Sequence, residues 1–118
     1  MSKNALRPLP PKDQLTLNSA IHLHQSGTID KAKDIYLGLL KKHPENVDLN
    51  YLLGVLAVQQ KEWLKAIGLI GKAIKLKPEN PNFYYNRGLA NYGMQNLEAA
   101  ILDYGWSLQG NRTISKPI

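Results

Sequence analysis

The sequence predicts an all-α fold: a solenoid of three stacked helix-turn-helix units, six helices in all. Three observations carry this. Ala32, Ala66 and Ala100 stand 34 residues apart, and the same step links Ala20, Gly54 and Gly88, Gly27, Lys61 and Gln95, and Pro44 with Pro78. A self-similarity of that period marks an array of helix pairs. Between these marks the apolar residues recur every three or four positions, the spacing of one helix face. The prolines and glycines fall between the faces, where a chain changes direction.

Residues 1–12 hold Pro8, Pro10 and Pro11 and are expected to form an extended lead-in. Repeat one is placed at residues 13–46. Its first helix carries Leu15, Leu17, Ala20, Ile21 and Leu23; Gly27 and Thr28 make the turn, with Thr28 as cap; its second helix carries Ile29, Ala32, Ile35, Tyr36, Leu39 and Leu40. Repeat two is placed at residues 47–80. Asn46 is the N-cap, Leu49, Leu52, Leu53, Leu56 and Ala57 line the first helix, and the second begins near Trp63 and carries Leu64, Ala66, Ile67, Ile70, Ala73 and Ile74. Lys75 and Lys77 suit the negative end of that helix dipole, and Pro78 closes the unit. Repeat three is placed at residues 81–109. Asn80 followed by Pro81 is a strong start signal. Phe83, Tyr84, Gly88 and Leu89 mark its first helix; Asn96 caps the second, which carries Leu97, Ala100, Ile101, Tyr104 and Leu108. Gly110 is expected to end it, leaving 110–118 as a tail. Within each pair the small residues are expected to meet, Gly54 against Ala66, so that the backbones approach.

Composition narrows the function. The chain has 118 residues, 43% of them hydrophobic and 20% charged, enough for one packed domain. It has no cysteine, so disulfides, thiolate metal sites and cysteine nucleophiles are excluded. The opening MSKNALRPLPPKDQ lacks the apolar core of a signal peptide, and no apolar run is long enough to cross a bilayer; a cytoplasmic protein is the expectation. The formal net charge is +6, with Lys61, Lys65, Lys72, Lys75 and Lys77 close together. A basic stripe can attract nucleic acid, but no groove-reading motif accompanies it and no aromatic residues alternate with the lysines, so a solvated helix face is the better reading. The histidines are His22, His24 and His43. The first two lie two apart on a helix and point to different sides, so they cannot share a metal. No nucleophile elbow or phosphate loop is present. No enzyme, no cofactor and no metal is expected.

The repeated residues resemble the tetratricopeptide repeat (TPR). Ala20, Ala32, Tyr36 and Pro44 match its pattern in repeat one; Leu53, Gly54, Ala66, Ala73 and Pro78 in repeat two; Tyr84, Gly88, Ala100 and Tyr104 in repeat three. The departures are Ser19, Asn50 and Ser107, and the absence of a final proline. The resemblance implies a right-handed superhelix whose first helices line a concave groove, and a protein that binds protein partners or extended peptides there. Read one repeat apart, the groove rows are Gln14, Asp48 and Asn82; Leu17, Tyr51 and Tyr85; Asn18, Leu52 and Asn86; Ile21, Val55 and Leu89; His24, Val58 and Tyr92. The expected peptide-binding residues among them are Leu17, Asn18, Ile21, His24, Tyr51, Val55, Val58, Asn82, Tyr85, Asn86, Leu89 and Tyr92. Some TPR domains clamp a chaperone's terminal carboxylate with lysine, asparagine and arginine; the cationic members of that clamp are absent from these rows. The phrases LLGVLAVQQ and AIGLIGKAIKLKPENPNFYYNRGLA also look like the leading repeats of bacterial proteins related to O-linked N-acetylglucosamine transferases. That likeness implies substrate presentation, with no transferase domain in this chain. A further alternative is self-assembly into a homo-oligomer through an uncapped C-terminal repeat, where Trp106 and Leu108 form a patch unless Ile114 and Ile118 fold back over it.

Overall fold

A computed structural model describes residues 7–112, with backbone alone at 111 and 112. Across these residues the elements are α1 (Pro11–Gln25), α2 (Ile29–Lys42), α3 (Val47–Gln59), α4 (Trp63–Leu76), α5 (Pro81–Gly93) and α6 (Leu97–Arg112). They pair as α1 with α2, α3 with α4 and α5 with α6, and the pairs stack in chain order into a right-handed solenoid of three helix-turn-helix units.

Each element follows from its ends. Asn46 accepts the Leu49 N–H at 2.9 Å and Asn80 the Asn82 N–H at 2.9 Å, so α3 and α5 begin at capped asparagines. Thr28 stands at the N-cap position of α2 but makes no side-chain cap bond. Its backbone N–H is already bound to Leu23 O at 2.9 Å, part of the turn before it. That turn recurs three times. Thr28, Glu62 and Asn96 donate their N–H groups back to Leu23, Ala57 and Asn91, and Gly27, Lys61 and Gln95 donate theirs to His24, Val58 and Tyr92. These are Schellman closures, which require a left-handed residue after the helix. Gly27, Lys61 and Gln95 supply it, with φ of 89°, 60° and 64°.

Two boundaries differ from the sequence expectation. Helix α1 starts at Pro11 rather than Asp13, because a proline at the first helical position has no N–H to leave unsatisfied. Helix α6 runs through Gly110 to Arg112. Gly110 packs against Pro81 there, so its missing side chain serves helix approach rather than termination. Ile114 and Ile118 lie outside the described residues.

The core has two clusters. One joins Leu9, Leu17, Ala20, Tyr36, Leu39, Leu49, Leu53 and Leu56 across the first two repeats. The other joins Val47, Ala57, Ala66, Ile70, Ala73, Ile74, Phe83 and Ala90 across the second and third. Ala32, Ala66 and Ala100 are all buried. The packing within a pair differs in register from the expected Gly54–Ala66 contact. A Cβ on Gly54 would meet the Ile70 side chain, one turn beyond Ala66, and one on Gly88 would meet the Tyr104 ring. Helical side chains lean toward the N-terminus, so the residue covering a spot lies farther along the chain than its Cα suggests.

Helix α6 is bound differently from α4. Its inward positions include Asp103 and Ser107, both buried. Asp103 accepts a two-pronged bond from Arg87, Nε to Oδ2 at 3.0 Å and Nη2 to Oδ1 at 2.8 Å, and a third from Asn91 Nδ2 at 3.0 Å. That carboxylate holds the Arg87 pKa above its ordinary value. Leu97, Ile101 and Leu108, expected on the packed face of α6, are exposed.

Candidate functional site

The first helices α1, α3 and α5 lie side by side and form one face of the stack. Five rows of residues were expected to line it, and the structure sorts them into two kinds.

Two rows turn toward the next repeat. Leu17 is 2% exposed and belongs to the first core cluster, so it does not line a groove. Tyr51, one repeat on, lies with its ring 4.5 Å from that of Phe83 on α5. Burial raises its pKa, partly offset by the bond from Asn86. Tyr85, a further repeat on, is exposed beside Tyr104. The His24 row behaves likewise. His24 Nε2 lies 2.7 Å from Gln59 Oε1 and Nδ1 lies 2.9 Å from the Tyr36 hydroxyl. An amide oxygen only accepts, so Nε2 carries a proton, and in a neutral ring Nδ1 then accepts from Tyr36. His24 thus ties α1 to α2 and α3. Tyr36 is fully enclosed, which pushes its pKa up to about 12. Val58 packs on the second core cluster, while Tyr92 is exposed.

The remaining rows face outward. Gln14, Asp48 and Asn82 are exposed; Val55 and Leu89 are half-buried, and Ile21 is half-buried with one side against the first core cluster. In the third row Asn18 is exposed, Leu52 packs on the core and Asn86 is half-buried. Asn18 Oδ1 accepts from Gln14 Nε2 at 3.0 Å, which turns its amide donors outward. Asn86 Nδ2 spends its two protons on Tyr51 Oη at 2.9 Å and Asn82 O at 3.0 Å, which leaves Oδ1 to accept. The face therefore offers a strip of Ile21, Val55 and Leu89 bordered by an amide donor at one end and an amide acceptor at the other.

Other polar side chains are structural. Asp13, whose role no sequence motif signals, joins α1 to the α2–α3 turn. His43 Nε2 lies 2.8 Å from Oδ2 and Lys42 Nζ 2.9 Å from Oδ1, and these bonds, His43 foremost, hold the carboxyl below its ordinary value of 3.8. Asn50 Nδ2 donates to Pro44 O at 3.1 Å, and Tyr84, one repeat on, donates its hydroxyl to Pro78 O at 2.8 Å. The departure Asn50 and the matching Tyr84 thus do the same work, each tying a first helix to the proline turn before it. Among the described residues no three His, Asp or Glu side chains gather to hold a metal ion, and no helix is long and apolar enough to cross a membrane. A recess of about 640 Å³ lies away from the helix face, between the lead-in and the α2–α3 turn, lined by Arg7, Leu9, Lys42, His43 and Lys72 among others. It follows the splay of loops and holds none of the expected site residues.

Three stacked helix pairs, each closed by the same turn between its two helices, make up a helix-turn-helix solenoid. Residues 56–95 match the family model described as TPR repeat. The first TPR of Spaghetti (RPAP3), solved with the HSP90 peptide SRMEEVD, superposes with a TM-score of 0.80 at 23% identity, over 89% of this chain and 83% of that one. The O-GlcNAc transferase of Thermobaculum terrenum superposes at 0.78 with 22% identity, over 86% of this chain but 20% of the enzyme. MamA of AMB-1 gives 0.74 at 24% identity, over 81% of this chain and 52% of that one. At these identities the likeness is one of fold.

Proposed function

We propose that the outward face of α1, α3 and α5 binds an extended peptide segment of a protein partner, and that the chain acts as a scaffold without chemistry of its own. One observation carries this: a half-buried apolar strip, Ile21, Val55 and Leu89, lies between oriented amides of Asn18 and Asn86. Apolar surface supplies the attraction for ligand side chains, and a fixed donor and acceptor match a peptide backbone. Asn82, exposed beside Asn86, extends the border. Tyr51 holds the Asn86 amide through its hydroxyl, and Tyr85 and Tyr92 are exposed on the helix that carries Leu89.

The ligand's chemistry follows from charge. In the outward rows Asp48 is the sole charged residue. The peptide held by the RPAP3 domain, SRMEEVD, is acidic; a face without cations matches a neutral segment with apolar side chains instead. The test is selection of random displayed peptides on the immobilised chain, followed by fluorescence anisotropy of the winners. An Asn18→Ala, Asn82→Ala double variant removes exposed amides and leaves the core intact. It should weaken binding at least about tenfold, equivalent to ~1.4 kcal/mol. Selected peptides that bind both forms alike, or that are uniformly acidic, would overturn the reading.

A further inference from the structure

The two ends of the stack are unlike, and the difference points to a second copy of the chain. At the C-terminal end, Leu97, Ile101 and Leu108 of α6 are 54%, 70% and 61% exposed. Their counterparts one repeat earlier, Trp63, Ile67 and Ile74, pack into the core cluster that holds α5. On the neighbouring helix the same trend holds: Tyr85 and Tyr92 are exposed where Tyr51 and Val58 are half-buried against the second core cluster. The end face thus continues, residue for residue, the interface by which repeat two receives repeat three. At the N-terminal end the positions that would receive such a face are Leu15, Ser19 and His22. Their counterparts Leu49, Leu53 and Leu56 are buried leucines. A head-to-tail stack would therefore press an apolar face onto a largely polar one.

We propose that two copies pair through their C-terminal end faces about a two-fold axis, α5 and α6 of one copy against α5 and α6 of its partner. Apolar then meets apolar, and the contact is self-complementary and closed. Contiguous exposed apolar surface of this kind marks a contact. Charge allows it: residues 81–112 hold Arg87 and Arg112 against Glu98 and Asp103, so the whole net charge of +6 lies elsewhere. The faces approach without like-charge repulsion. Ile101 and Leu108 belong to the contact and not to the peptide strip, so the two proposals fail separately.

Sedimentation equilibrium of the 118-residue chain tests it. With rising concentration the mass should climb from 13.2 kDa toward twice that value and stop. An Ile101→Glu, Leu108→Glu variant should remain at the mass of one chain with unchanged helical circular dichroism, since both side chains are exposed. Leu15→Glu should pair like the wild type. Growth beyond two copies, or loss of pairing in Leu15→Glu, would overturn the two-fold arrangement in favour of head-to-tail stacking. A single-chain mass for the wild type at every concentration would overturn self-pairing and leave the face to another protein's helix.

Discussion

Lys61 and Gln95 occupy the left-handed backbone position that Gly27 fills in the first turn. A side chain there crowds its own backbone, at about 1–2 kcal/mol for a residue with a Cβ. Both are tolerated because the closure satisfies carbonyls at the end of the helix. Lys61→Gly and Gln95→Gly should therefore each stabilise the protein, by about 0.5–1 kcal/mol once the greater freedom of glycine in the unfolded chain is deducted. Urea unfolding midpoints check this; a lower midpoint for either variant would mean that the turn is held by side-chain contacts instead. The spacing of Gly27, Lys61 and Gln95 is visible in the sequence, but the conformation is not. Lysine and glutamine carry no turn signal, and only their alignment with a glycine hints at it. Asn50 shows the opposite limit. It looks like a polar intruder in an apolar run, yet it is buried because Pro44 O and Asn46 O receive its amide protons.

At the scale of the helix, pairs nest where one partner lacks a side chain. Gly54 in α3 lies beneath Ile70, whose side chain is fully buried and whose backbone N would stand 3.3 Å from an added Cβ. Gly68 in α4 has nothing within 4 Å of the same hypothetical atom. The two glycines should respond to alanine with opposite signs. Gly68→Ala should stabilise by about 0.5–1 kcal/mol through helix propensity. Gly54→Ala should destabilise by about 1–2 kcal/mol, because overpacking outweighs that gain. Thermal melts of the two variants decide it, and a stabilised Gly54→Ala would show that Ile70 can yield. The helices themselves were legible from apolar spacing, asparagine caps and prolines. Which stripe of a first helix faces a ligand was not. Leu17, Tyr51 and Tyr85 share one row, yet the first is core, the second half-covered and the third open. What separates them is whether a repeat follows, and no single repeat encodes that.

At the scale of the molecule the stack is one-dimensional, and each pair owes part of its stability to its neighbours. The middle pair, α3 and α4, touches a pair on either side and contributes to both core clusters. Among the described residues the last pair has a neighbour on one side only, and α6 packs on α5 through Ala100 and Tyr104 as well as through the bonds of Asp103 to Arg87 and Asn91. Opening α6 exposes Ala100 and the rest of Tyr104, whereas opening α4 would expose Ala66, Ile70, Ala73 and Ile74 at once. Local opening follows such differences. In protein dilute enough to be monomeric, amides in the middle of α6 should exchange with deuterium at least about tenfold faster than those in the middle of α4, a gap of ~1.4 kcal/mol in opening free energy. Hydrogen exchange read by mass spectrometry measures both helices in one experiment. Raising the concentration until two copies pair should slow α6 and leave α4 unchanged, because the partner would cover only the end face. Equal exchange in the two helices at high dilution would show the three pairs opening as a single unit, and stability would then not be a sum over neighbours.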